Sequence, residues 1–155
     1  FNGSVNYKGF DLGVLMTGSL GQDIFKGINR VDLRYTNRPV SFLGRWTGEG
    51  TSNTMPRYTW SDTNNNYRVS DLYIQKGSFV RLRNIQLGYT LPKSFLEKIG
   101  SSNWRFYVSA ENLLTFTSYD GADPEIGAMS TFDVGIDRAV YPQPRTFRFG
   151  TSITF

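Results

Sequence analysis

Asp120, Asp123 and Glu125 fall within six residues in the stretch Asp120-Gly-Ala-Asp-Pro-Glu125, whose turn chemistry would present oxygens to a calcium ion. They lack the longer spaced ligand set of a calcium loop, so a solvated loop is the competing reading and no other cofactor is implied. Asp133 and Asp137 can be drawn as an acid and base for sugar hydrolysis, but nothing fixes them on a rigid element. The chain has no His and no Cys. That removes the commonest general base, the commonest zinc ligand, a thiol nucleophile and any disulfide. No phosphate-binding loop or dinucleotide fingerprint is present, and we expect no enzyme. Four aromatics, Trp46, Tyr58, Trp60 and Tyr67, sit in a long polar stretch. They would stack on sugar rings or meet a partner protein, with packing of the loop on itself as the alternative.

The elements that would position these residues are strands. From Asn84 to Leu91 the chain alternates, with Ile85, Leu87, Tyr89 and Leu91 on one side and Asn84, Gln86, Gly88 and Thr90 on the other. Pro92 closes this strand, and a helix-like piece from Lys93 to Ile99 follows and stops at Gly100. Alternation of the same kind runs through Phe1, Val5 and Tyr7, and resumes after Lys8-Gly9 with Phe10, Leu12, Val14 and Met16. A two-residue turn there would pair Tyr7 with Phe10 and Val5 with Leu12, placing both apolar sets on one face. Trp104, Phe106, Val108 and Ala110 oppose Arg105, Tyr107, Ser109 and Glu111, and Asn112 then falls on the apolar parity, where a bulge is expected. The last run sets Phe147, Phe149, Ile153 and Phe155 against Arg148, Gly150, Ser152 and Thr154.

The chain is thus all-β, with about five antiparallel strands near 1–8, 10–20, 78–91, 103–117 and 145–155. Between them lie long connections at about 21–77 and 118–144 and short ones at Lys8-Gly9 and 92–103. Within the first long connection Asp23 would cap a short helix carrying Ile24, Ile28 and Val31. A connection of this length does not suit a compact domain. Short turns at one rim and long loops at the other do suit a membrane barrel. Aromatic residues at 15% and 16 Gly support that class, as does a mean hydropathy of -0.37. No run approaches the roughly 18 apolar residues of a membrane helix. Net charge is +4 without a basic run, so no nucleic-acid partner is expected. Because five strands are too few to close a barrel and Phe1 opens in mid-pattern, we expect a piece of a longer chain.

Three stretches carry a family resemblance: 77–92 (GSFVRLRNIQLGYTLP), 108–117 (VSAENLLTFT) and 141–147 (YPQPRTF) with the run to Phe155. They resemble the C-terminal part of the SusC/RagA family of TonB-linked outer-membrane transporters, as do 43–48 (LGRWTG) and 55–57 (MPR). The resemblance implies the C-terminal antiparallel strands of a transmembrane barrel of roughly 22 strands with long extracellular loops. It further implies the Gram-negative outer membrane, with lipid around the wall and a SusD-like lipoprotein as lid. TonB would act through an N-terminal part absent here, and the cargo would be a glycan or a peptide. The ending Arg148-x-Gly150-x-x-Ile153-x-Phe155 resembles the barrel insertion signal, although any apolar last strand would read similarly.

On the barrel reading Arg105, Tyr107, Glu111 and Arg148 face the lumen, as a polar wall or as cargo contacts. Arg81 and Arg83 share the parity of Ile85, so they would meet lipid near the rim or form salt bridges within the loops. Two rivals are a soluble β-sandwich that binds carbohydrate through Trp46 and Trp60, and a glycan hydrolase using Asp133 and Asp137. The barrel reading requires Tyr7, Leu87, Phe106 and Phe149 to lie outside any protein core.

Overall fold

A computed structural model describes residues 1–29, 37–66, 68–126 and 131–155. The chain forms two compact units, one of residues 1–22, 77–125 and 141–155, the other of 23–76 and 126–140.

The first unit is a five-stranded antiparallel sheet. Its strands are β1 (Asn2–Tyr7), β2 (Phe10–Ser19), β5 (Phe79–Thr90), β6 (Asn103–Thr117) and β7 (Thr146–Thr154), in the order β1-β2-β5-β6-β7. The β1–β2 hairpin pairs Tyr7 with Phe10 and Val5 with Leu12, the register that alternation demands. Lys8 and Gly9 have φ of 47° and 87°, the two left-handed residues of a hairpin turn whose twist matches its strands. A Cβ at Gly9 would lie 2.8 Å from the Thr90 carbonyl oxygen, and Thr90 is held close because its N–H donates to Gly9 O at 2.8 Å. We expect Gly9→Ala to cost about 1–2 kcal/mol, measured by denaturant unfolding of the full-length protein. Between β5 and β6 the chain makes one helical turn, α1 (Lys93–Leu96), tightening to a 3-10 turn at Glu97–Ile99 and ending at left-handed Gly100.

Pairing carries the apolar residues across the sheet in rows. Val5, Leu12, Leu87, Val108 and Phe149 are successive partners, as are Tyr7, Phe10, Tyr89 and Phe106. These side chains are not a core: Tyr7, Leu87, Phe106 and Phe149 are 66%, 45%, 42% and 80% exposed.

One irregularity changes the expected facing. Leu15 and Met16 are neighbours on β2, yet they pair with Asn84 and Leu82, leaving Arg83 without a partner in the ladder. Asn84 and Leu82 therefore fall on opposite faces although they are two residues apart. Arg81, opposite Thr17, moves to the polar face; its expected position on the parity of Ile85 is thus corrected. On the other side β6 accommodates the shift at Asn112, where φ is 51° and the register jumps from Glu111 to Leu114.

The second unit holds a small sheet, β3 (Asp23–Phe25) against β4 (Ile74–Lys76). The helix expected after Asp23 does not form. Asp23 instead sits opposite Lys76 and forms an ion pair with it at 2.9 Å, while Ile24 and Tyr73 are buried. Among the described residues a 3-10 turn at Gly27–Asn29 follows, and Val31 lies outside them. Among the described residues no helix is long and apolar enough to cross a membrane, which says nothing of strands.

Candidate functional site

The polar face of the sheet carries two ion pairs, Asp11 with Arg105 and Glu111 with Arg148. Asp11 on β2 and Arg105 on β6 are separated by β5, and they meet over Gly88, the residue between them. Arg105 Nε donates to Asp11 Oδ1 at 2.9 Å and Nη2 to Oδ2 at 2.5 Å, a two-pronged contact. A Cβ at Gly88 would strike both side chains, its distance to Arg105 Cζ being 2.7 Å. Glycine here lets the pair cross the strand. Tyr107 uses the same device one strand over, lying across Gly150 with Arg105 Cζ 5.3 Å from its ring centre. Arg148 Nη1 donates to Glu111 Oε1 at 2.5 Å between β6 and β7. The four residues expected to share a face are thus brought to one face, Arg105 and Tyr107 beside Asp11 and Glu111 with Arg148 as a separate pair.

At the end of the sheet where the long connections leave, Arg81 organises a second group. It is 3% exposed and donates to Thr115 Oγ1 (3.0 Å), to Glu125 Oε2 (2.9 Å) and to Asp123 Oδ1. Arg83 Nη1 also donates to Glu125 Oε2, at 2.6 Å. Asp123 further accepts the Glu125 N–H at 2.9 Å and the Gln143 N–H at 3.0 Å. One arginine thereby ties 123–125 and, through Asp123, Gln143 to the sheet. Burial pushes the Asp123 carboxyl up, but the Gln143 and Glu125 N–H groups and Arg81 outweigh it and leave the group below its ordinary value.

This arrangement alters the reading of Asp120, Asp123 and Glu125 as a calcium set. Two of the three carboxylates are occupied by guanidinium groups, and among the described residues no three acidic side chains group as metal ligands. The hydrolase pair does not assemble either. Asp133 accepts from Arg138 at 2.8 Å, and Asp137 is 3% exposed and accepts the Ala139 N–H.

The aromatic candidates divide. Trp46 is stacked by the Arg57 guanidinium 4.7 Å from its ring centre, and Tyr58 accepts from Arg38 Nε at 3.1 Å while meeting Phe42 edge-on. Trp60 is 69% exposed, and Tyr67 lies outside the described residues. Of the proposed insertion-signal residues, Arg148 and Gly150 belong to the polar face just described, whereas Ile153 and Phe155 are 42% and 88% exposed. Of the two readings offered for Arg81 and Arg83, the structure shows the salt bridges with a loop, to Asp123 and Glu125; parity counting misplaced the face of Arg81 because it runs straight through a bulge. Asp11 was within reach, since it stands on the polar parity with glycine as its cross-strand partner.

No protein-family model matches the chain. TonB-dependent receptor P3 of Formosa agariphila is 35% identical over 162 residues, covering all of this chain. The chain is a relative of the TonB-dependent receptors. SusC of Bacteroides thetaiotaomicron, another TonB-dependent receptor, is 28% identical over 153 residues and 97% of the chain. This receptor relative spans only 16% of the length of P3 and 14% of that of SusC. Among solved structures, the RagAB peptide importer in its closed-closed state matches 99% of this chain at a TM-score of 0.76 and 24% identity, over 17% of the importer's chain. The fold is therefore that of part of a TonB-dependent barrel, with antiparallel strands and, among the described residues, one small α-helix. The five strands do not themselves close.

Proposed function

We propose that this chain forms part of the wall of an outer-membrane barrel that imports nutrients by a TonB-dependent route. The observation that carries this is the two-sided sheet, with apolar rows exposed on one face and paired charges on the other. A sheet with lipid before it and water behind it needs that division. The first lumenal group, Asp11 with Arg105, and the second, Glu111 with Arg148, give cargo a polar wall of balanced charge. Similarity to SusC and to the RagAB peptide importer supports a SusD-like lipoprotein as partner. Cargo is a glycan or a peptide, with exposed Trp60 in the first long connection as a contact for cargo or lid. Ile153 and Phe155 serve with Arg148 and Gly150 as the insertion signal.

This stretch contains no Cys, so in a full-length background with any cysteine elsewhere replaced, a single introduced thiol reports its own surroundings. Val108 and Ser109 are adjacent on β6 and point to opposite faces. In the full-length receptor in membranes, Val108→Cys is expected to react only with a lipid-soluble maleimide and Ser109→Cys with a small water-soluble one. Reaction of Val108→Cys with the aqueous reagent at the rate of a free surface thiol would overturn the proposal.

A further inference from the structure

We propose that the helical turn between β5 and β6 is an interfacial anchor that holds anionic phospholipid headgroups at the short-turn rim of the barrel. The inference rests on the membrane-spanning reading above and adds a lipid site to it. The turn follows directly on Leu91, which continues the apolar parity of Leu87 and Tyr89. Leu96 is 4% exposed and seats the turn, while Phe95 and Ile99, four residues apart and so on one side, are 47% and 42% exposed. Two exposed apolar side chains on so short a turn are out of place facing water. They are in place where an apolar wall meets a headgroup layer.

The surroundings match that layer. The apolar row nearest this rim is aromatic: Phe10 and Tyr89 stack at 4.5 Å, and Trp104 and Phe106 at 5.1 Å. Trp and Tyr concentrate where hydrocarbon gives way to headgroups, because one part of each ring is apolar and another makes hydrogen bonds. Trp104 shows both parts, its Nε1–H donating to Thr151 Oγ1 at 2.8 Å. Charge at the rim is mostly positive. The turn presents exposed Lys93 and Lys98 against a single acid, Glu97. The neighbouring β1–β2 turn adds exposed Lys8, and its Gly9 carbonyl accepts from Thr90 N–H at the foot of β5. Among the described residues no ion pair occupies these lysines. Long lysine stems reaching from an apolar wall to a phosphate layer are the usual snorkelling arrangement. The occupant is therefore an anionic phospholipid of the leaflet on the short-turn side, held by phosphate contacts to Lys93 and Lys98 with Phe95 and Ile99 among its upper methylenes.

The test uses the full-length receptor in bilayer discs of phosphatidylcholine with and without phosphatidylglycerol, and reads the lipid retained through detergent washing by native mass spectrometry. Wild type is expected to retain phosphatidylglycerol preferentially, and each of Lys93→Gln and Lys98→Gln to lower that preference about fivefold. High salt should mimic the variants. Phe95→Ser with Ile99→Ser is expected to lower retention of both lipids alike. Unchanged phosphatidylglycerol preference in the double lysine variant, with the receptor still in the outer-membrane fraction, would overturn the inference alone. Absence of the wild-type receptor from that fraction would overturn the membrane reading beneath it.

Discussion

Leu87→Arg should sharply reduce the amount of full-length receptor that assembles in the outer membrane. Leu87 stands in the middle of a row formed with Val5, Leu12, Val108 and Phe149, and it is 45% exposed. If hydrocarbon covers that row, an arginine at Leu87, one row deeper than Tyr7, costs more than one at the rim, on a scale from about 0–1 kcal/mol at the rim to about 2–4 kcal/mol at the midplane. Tyr7→Arg, next to the Lys8-Gly9 turn, supplies the rim case. The contrast between the two positions is the informative quantity, because both side chains are exposed and water would treat them alike. Heat-modifiable mobility and urea unfolding in micelles measure it. Equal and small effects at both positions would mean that water covers the face.

The second large effect is expected at Arg81. Its removal leaves Asp123, 6% exposed at the side chain, with a buried charge and no cation, a loss of about 3–5 kcal/mol. The loss should be local, because Asp123 and Glu125 belong to a connection and the ladder through Arg81 is made by backbone groups. Arg81→Ala is therefore expected to speed amide exchange and proteolysis at 119–125 and at Gln143 while β5 and β6 stay protected. Arg81→Lys should recover only part, since one ammonium cannot reproduce the fork that serves Asp123, Glu125 and Thr115 together. Acidity acts on the same contact with a definite sign. The folded Asp123 carboxyl lies below its ordinary value, so its contribution is complete above the ordinary carboxylate range and is lost as pH falls through the lowered folded value. The loop should hold through neutral and mildly acidic pH and loosen only in stronger acid, and Asp123→Asn should loosen it at neutral pH. Release of the loop at pH 6 in wild type would contradict this.

Much of the sheet follows from local rules. Alternation at Val5, Leu12, Leu87, Val108 and Phe149 placed these residues on one face before any pairing was known, and two-residue turn chemistry at Lys8-Gly9 set the hairpin register. Parity also grouped Arg105, Tyr107, Glu111 and Arg148, because successive side chains of a strand must point oppositely. Short-range chemistry was less informative at Asp23, where a capping residue and helical spacing lost to a three-residue pairing with Ile74–Lys76.

Period and turn chemistry are properties of neighbours along the chain, and they suffice to make it a set of two-faced strands with short and long connections. Which charges meet depends on how the strands pair. Asp11 reaches Arg105 because Gly88 leaves the space between them open, and Arg81 reaches Asp123 because an unpaired Arg83 turns the strand over. Both outcomes depend on partners far apart in the chain, and a one-residue shift in register moves a side chain from one solvent to the other.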